Sequence, residues 1–304
     1  MPGRRHKAPN RHHDLPSVDF AVLSLPMQNK EVIGQWSESA PYWEKYRPVI
    51  VEMFSPVSQA LIEDAAIAKG DSVLDVATGP GEPALTIADL VGPEGMVVGT
   101  DVAPEMVEAA RREAGRRHLQ NARFEVAFTD SLPFPANTFD AAVSRFGVMF
   151  FPSPLDCLRD VLRVLKPGGR IAVAVWYLAE RNPFDYIITR TVDRYVQPAA
   201  PKAGATDMFR FAKPGDLQAV LSGAGAAEVS ERVLQFSIRA KLSAEDFWTI
   251  RSEMSEKLRT RLAPLSATQR EALKRDAIEA IRAYSSQSGI RIPAEVLIVR
   301  GRKV

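Results

Sequence analysis

Val73-Leu74-Asp75-Val76-Ala77-Thr78-Gly79-Pro80-Gly81-Glu82-Pro83 reads as an apolar strand that runs into a glycine-containing turn and then into a helix whose first turn holds Glu82 and Pro83. Glycine lets backbone approach a ligand closely. A dinucleotide site would prefer G-x-G-x-x-G with pyrophosphate at the helix start, but the third glycine is missing here and Glu82 brings negative charge to that position. Pyrophosphate is therefore disfavoured, and a nicotinamide-dependent oxidoreductase with it. Asp75, next to the strand end, suits a ligand that carries an amino group; its structural alternative is a carboxylate that caps backbone donors of the turn.

The next motif outward, Val97-Val98-Gly99-Thr100-Asp101-Val102-Ala103-Pro104-Glu105-Met106, puts Asp101 at the tip of a second strand, about 20 residues beyond Gly81. A carboxylate there can accept both hydroxyls of a ribose, and it can also cap the helix that starts at Pro104. Together the two motifs suggest an adenosine joined to something without phosphates.

Strand and helix patterns alternate around them. Strands are expected over 72–77, 96–100, 123–128, 139–144 and 170–176, with helices over 82–91, 104–114 and 154–165, which is the signature of a parallel sheet. Before the sheet, apolar positions from Pro41 to Ala68 recur at helical spacing with interruptions at Pro48 and Pro56, predicting two or three short helices. After Tyr177 the rhythm changes to a helix over 183–196, a Pro/Ala/Gly loop over 197–213, a helix from Pro214 to Gly223 and a strand over 227–238. A charged helical stretch over 243–286 and a closing strand over 291–300 follow.

Composition narrows the function class. The 304 residues carry 39 Lys and Arg against 37 Asp and Glu, a net charge of +2, and Arg4, Arg5, Lys7 and Arg11 alone supply +4 in the first 13 residues. The remainder is thus near −2 and shows no electrostatic footprint for nucleic acid, which rewards clustered Lys and Arg. Residues 1–30 read as a disordered basic arm. No apolar run approaches the roughly 18 residues of a membrane span. The single cysteine, Cys157, excludes an internal disulfide and a Cys-rich zinc site; no metal is expected, and a cytoplasmic location fits.

At this point the chain resembles the class I S-adenosylmethionine-dependent methyltransferases, in the branch of the ubiquinone and menaquinone biosynthesis C-methyltransferases. Four motifs agree in order: Val73 to Glu82, Gly99 to Met106, Leu132-Pro133-Phe134 followed by Phe139-Asp140, and Leu162 to Trp176 with Leu165-Lys166-Pro167-Gly168-Gly169-Arg170. The resemblance implies an α/β fold with a doubly wound, mostly parallel, seven-stranded Rossmann-like sheet, an antiparallel last strand and helical lid and insertions. Its parts would be the arm, a helical lid over 31–68 and a cofactor-binding domain over 69–304 with cap insertions 177–213 and 243–286.

The resemblance also assigns roles. Asp75 would bind the methionyl amino group of S-adenosyl-L-methionine, while backbone from Ala77 through Thr78 and Gly79 to Gly81 would wrap the methionyl and ribose portions. Asp101 would hold the ribose hydroxyls, with Val102 and Met106 against adenine. Where the family usually has Asp or Asn for the adenine amine this chain has Phe128, so adenine recognition falls to the backbone of Thr129, to stacking or to Asp130. Ser144 would offer backbone near the methionyl group, and Arg145 and Phe146 would face the transfer site. Tyr42, Trp43 and Tyr46 of the lid, and Glu180, Asp185 and Tyr186 after the fifth strand, are further candidates over the cofactor. The run Val148 to Phe151 is expected to pack helix against sheet, and Cys157 to be inert. None of the four histidines matches a site motif.

The implied reaction is methyl transfer by in-line displacement to a small quinone, phenol or polyketide, leaving S-adenosyl-L-homocysteine, by a monomer or homodimer. The rivals are an RNA methyltransferase that uses the basic arm and a non-catalytic cofactor-binding module.

Overall fold

A computed structural model describes residues 27–197 and 207–304, so most of the basic arm and part of the Pro/Ala/Gly loop lie outside the described residues. Helix α1 (Met27–Lys45) already takes in residues 27–30, and α2 (Arg47–Asp64) follows it directly. In α2 the residues Ile50, Met53, Phe54, Val57 and Leu61 form one buried stripe. The break expected at Pro56 does not occur. Proline removes the N–H that would bond the Glu52 carbonyl, and the Ser55 hydroxyl donates to that carbonyl instead at 3.1 Å. Pro48 marks the start of α2, where its missing N–H costs nothing.

The sheet core follows the expected alternation. Strands β1 (Ser72–Val76), β2 (Met96–Asp101), β3 (Ala122–Val126), β4 (Phe139–Arg145) and β5 (Leu165–Trp176) run parallel, linked by helices α3 (Ala84–Val91), α4 (Pro104–Arg116) and α5 (Pro154–Val164). Ile171 to Trp176 are all buried, as a strand covered on both faces requires. Beyond it come α6 (Pro183–Asp193), α7 (Asp216–Gly223), β6 (Ala227–Ala240), α8 (Ala244–Met254), α9 (Glu256–Leu262), α10 (Ala267–Arg282), a two-residue β7 (Ser285–Ser286) and β8 (Gly289–Arg302).

The order is β3-β2-β1-β4-β5-β8-β6, with β7 paired to β8. Only β8 runs against the rest, as expected for the last strand, and the short β7 raises the count from seven to eight. Buried Asn182 locks the cap to the sheet: its amide donates to the carbonyls of Tyr177, Leu178 and Glu295 and its oxygen accepts from the Glu295 N–H at 3.0 Å. The strand order reverses between β1 and β4, so the loops leaving their C-terminal ends diverge and open a crevice at that switch point.

Candidate active site

The crevice floor is the turn after β1. Ala77, Gly79 and Gly81 all take positive φ, at 57°, 56° and 107°, which folds the chain back on itself within five residues. A Cβ on Gly79 would stand in open space, whereas one on Gly81 would lie 2.8 Å from Leu85 Cδ1. Asp75 holds this turn from beneath. Its carboxylate accepts from the Thr78 hydroxyl at 2.7 Å and the Ala84 N–H at 3.0 Å, while Oδ1 has no partner. Complete burial pushes its pKa up to about 7, against the pull of Thr78 and the positive charge of Arg145. Arg47 of α2 clamps the turn from above, donating to the Pro80 carbonyl at 3.1 and 2.8 Å and to the Ala109 carbonyl at 2.8 Å, and pairing with Glu113.

Asp101 forms the adjoining wall. One oxygen accepts from the Gly79 N–H at 2.9 Å and the other from the Ala103 N–H at 3.0 Å, so the β2 tip and the β1 turn are tied together at the crevice edge. Burial raises its pKa too, against these backbone donors. Val102, Met106 and Thr129 complete this end. The Thr129 hydroxyl is spent on Cys157 Sγ at 3.0 Å, and burial pushes that thiol up to about 11, so Cys157 is inert as expected.

The opposite wall and the roof are aromatic. Phe146, at φ 62°, packs edge-on against Phe54 of α2 at 5.4 Å and stacks on Trp176 at 4.7 Å. Overhead, Trp36 of α1 meets Trp43 at 6.2 Å and reaches Phe150 at 5.2 Å, so the lid helix closes onto the loop after β4. Gly147 lets that loop meet the β1 turn: a Cβ there would fall 2.6 Å from Ala77 Cβ and 2.8 Å from Ser144 Oγ. The crevice is open at its mouth, and its empty space, with the open solvent there included, is about 1030 Å³.

Of the residues expected at the cofactor, the structure brings Ala77, Thr78, Gly79, Asp101, Val102 and Met106 to the crevice, with Thr129 and Phe146. Arg145 lines it as well. Others stand off it. Asp75 is beneath the turn, so its own bonds are structural ones. Gly81 turns toward Leu85, Ser144 is buried with its hydroxyl unpartnered, Phe128 is half-buried outside the lining, and Asp130 is exposed.

Of the candidates for catalysis, Tyr46, Arg145, Asp185 and Tyr186, only Arg145 lies at the crevice. Tyr46 donates its hydroxyl to Glu253 at 2.6 Å, Asp185 pairs with Arg251 at 3.6 Å, and Tyr186 lies under the Arg190 guanidinium at 4.5 Å; none lines the crevice. Tyr42 is likewise turned away, its ring 4.8 Å from the Arg259 guanidinium. Val148 and Met149 are core, and Phe150 and Phe151 pack on the core and line the crevice as well.

Sequence reasoning missed Arg47, Trp36, Phe54 and Gly147. Trp36 and Trp43 stand seven residues apart, two helical turns, and that spacing was the available signal. The cap also sits differently. Among the described residues neither 177–213 nor 243–286 contributes a lining side chain, because Trp176 and Phe184 stack outward from Phe146, Phe247 meets Phe184 edge-on, and together they fill the space between.

The residues present fit S-adenosylmethionine: open space above Gly79, a carboxylate at the β2 tip for ribose, and Met106 and Val102 for a flat apolar ring. Among the described residues no group of three or more His, Cys, Asp or Glu could hold a metal ion, and no helix is long and apolar enough to cross a membrane.

Comparison with known proteins agrees. Residues 73–169 match a methyltransferase domain family. The chain is 34% identical over 143 residues to aklanonic acid methyltransferase of Streptomyces sp. (strain C5), covering 47% of this chain and 64% of that protein. It is 36% identical over 196 residues to the ubiquinone/menaquinone biosynthesis C-methyltransferase of Pseudomonas putida (strain GB-1), covering 63% of this chain and 75% of the relative. The YcgJ protein of Bacillus subtilis has the same fold, with a TM-score of 0.54 at 23% identity over 82% of this chain and 98% of its own.

Proposed function

The chain belongs to the class I S-adenosylmethionine-dependent methyltransferases, in the branch of the ubiquinone and menaquinone C-methyltransferases, and on that premise we propose that it methylates a small molecule bound under α1 and α2. The carrying observation is the crevice itself, roofed by Trp36 and Trp43 and walled by Phe54, Phe146 and Phe150. Such a space suits a flat, apolar acceptor such as a quinone, phenol or polyketide. Relatives named for ubiquinone/menaquinone biosynthesis and for aklanonic acid support that class.

S-Adenosylmethionine, when bound, supplies a methyl group on a positively charged sulfur, and the electron pair of the broken C–S bond stays with that sulfur. The protein's part is alignment and exclusion of water. Asp101 holds the ribose, Val102 and Met106 face adenine, and the β1 turn, braced by Asp75 and Arg47, presents the backbone of Ala77, Thr78 and Gly79. The aromatic wall orients the acceptor plane. Among the described residues the lining contains no His, Cys, Tyr or Lys, so a general base of those types is not part of the reading. The protein acts in the cytoplasm as a monomer or homodimer, a location that fits its one buried, unpaired cysteine.

The test is isotopic. Purified protein with methyl-labelled S-adenosylmethionine and a panel of quinols, phenols and hydroxylated polyketides should yield labelled product together with S-adenosylhomocysteine. Labelling of tRNA in place of every small acceptor would sink the reading.

A further inference from the structure

Among the described residues four ionisable side chains line the crevice, and three are committed. Arg47 spends its donors on Pro80, Ala109 and Glu113; Glu82 accepts from the Thr86 hydroxyl and pairs with Arg117; Asp101 accepts two backbone N–H groups. Arg145 differs. Its one hydrogen bond runs from Nη1 to the Ser58 hydroxyl at 2.8 Å, and no carboxylate of the described residues stands within ion-pair distance. A guanidinium has five N–H donors in a fixed plane, and Arg145, half-buried at the crevice, gives one to Ser58 and has the rest free for a ligand. Burial lowers its pKa, with the charges of Glu82 and Asp75 resisting, yet a guanidinium stays protonated.

The surroundings say where these donors are used. Ser58 lies one turn beyond Phe54 on α2, and Phe54 packs on Phe146, the residue after Arg145. The free donors therefore belong to the aromatic wall, across the crevice from Asp101.

We infer that Arg145 is an anion anchor that determines specificity, holding the acceptor by an ionised oxygen, carboxylate or phenolate, while its ring lies against Phe54 and Phe146. This rests on the methyltransferase reading. Among the described residues the lining holds no His, Tyr, Lys or Cys base, and an acceptor held as its anion has released its O–H proton before it attacks the methyl group; where the attacking atom is a ring carbon, the proton on that carbon leaves afterwards to water as the ring is restored.

The experiment compares 1-hydroxy-2-naphthoate with the neutral 1-hydroxy-2-naphthamide, by calorimetry on protein saturated with S-adenosylhomocysteine. The acid should bind about 10- to 100-fold more tightly, the range for one charge-assisted pair. Arg145→Gln should abolish that preference and leave S-adenosylhomocysteine affinity unchanged, which also shows that the variant is folded, and Arg145→Lys should retain part of it. Equal binding of acid and amide by the wild type overturns the inference. So does an Arg145→Gln protein that binds S-adenosylhomocysteine weakly but 5′-methylthioadenosine normally, since the guanidinium would then serve the methionyl carboxylate. Failure of the wild type to bind S-adenosylhomocysteine at all defeats the underlying methyltransferase reading, and that result is visible before either naphthalene probe is added.

Discussion

Two neighbouring parallel strands, β1 and β2, each end close to an aspartate, and the sheet uses the two in opposite ways. Asp75 pairs in register with Gly99, and the last residue of β1, Val76, pairs with Thr100. Asp101 thus stands two steps further along the sheet than Asp75, about 6–7 Å at the usual rise per residue. That offset is enough to put Asp101 on the crevice lip and Asp75 under the turn. A carboxylate beneath a turn organises it, and one on the lip is available to a ligand.

The largest expected effect separates the two by stability. Asp75→Ala leaves the Thr78 hydroxyl and the Ala84 N–H without acceptors in a dry site, at about 1–3 kcal/mol each, so urea unfolding should show a loss of about 2–6 kcal/mol. An unchanged midpoint would mean that the turn does not depend on this carboxylate.

Asp101→Ala should reverse the pattern. Losing charge-assisted bonds to two ribose hydroxyls, worth about 1.5–3 kcal/mol each, weakens S-adenosylhomocysteine binding on the order of 100-fold or more at about 1.4 kcal/mol per tenfold. Stability should fall less than for Asp75→Ala, because the two N–H groups Asp101 serves lie at the crevice, where water can replace it. If the two variants lose affinity equally, the lip-versus-base distinction fails.

The contrast also shows where sequence is informative. Asp101, Val102 and Met106 were legible because a strand tip followed by a helix start fixes them locally, and the β1 turn was legible because its glycines need positive φ. Asp75 was legible along the chain, but its depth beneath the turn was not, since two residues of register are not written in either motif. The roof is harder still: Arg47, Trp36 and Phe54 reach the crevice only through the way α1 and α2 dock. Tyr42 and Tyr46 adjoin Trp43 on the same helical stretch yet face α8 and α9. Nor does sequence show how the cap docks: among the described residues the rings of Phe146, Trp176, Phe184 and Phe247 fill the space between it and the crevice. Pro56 misled because a hydroxyl one residue earlier repaired the helix.

Titration offers a finer separation. In the folded chain Asp75 titrates near 7, against an ordinary 3.8, so between those values the native state holds a proton that the unfolded chain has released. Its contribution is therefore fully present below about pH 4 and is lost as pH rises through 7, at up to about 1.4 kcal/mol per pH unit. Asp75→Asn should flatten the stability profile over that window and cost less at pH 8 than at pH 5. Burial raises the Asp101 pKa as well, giving a slope of the same sign. Saturating S-adenosylhomocysteine should reduce that second slope, because ribose hydroxyls favour the ionised form, and leave the Asp75 part in place. A ligand that erased both slopes would put Asp75 in contact with it.

The smallest effect belongs to the roof, which neither aspartate touches. Glu253 of α8 accepts from Lys45 at 2.7 Å and from the Tyr46 hydroxyl at 2.6 Å, tying the junction of α1 and α2 to the cap. These bonds hold its carboxyl below the usual range, the Lys45 bond foremost. Tyr46→Phe removes one half-buried bond without opening a cavity, for a loss of about 0.5–1.5 kcal/mol. Because Tyr46 stands off the crevice, the substitution should leave the pH dependence of methyl transfer unchanged and raise KM more than it lowers kcat, as expected for a roof that opens more often. A collapse of kcat with an altered pH profile would instead return Tyr46 to the reacting atoms, and the division between strand-tip chemistry and helical cover would have to be redrawn.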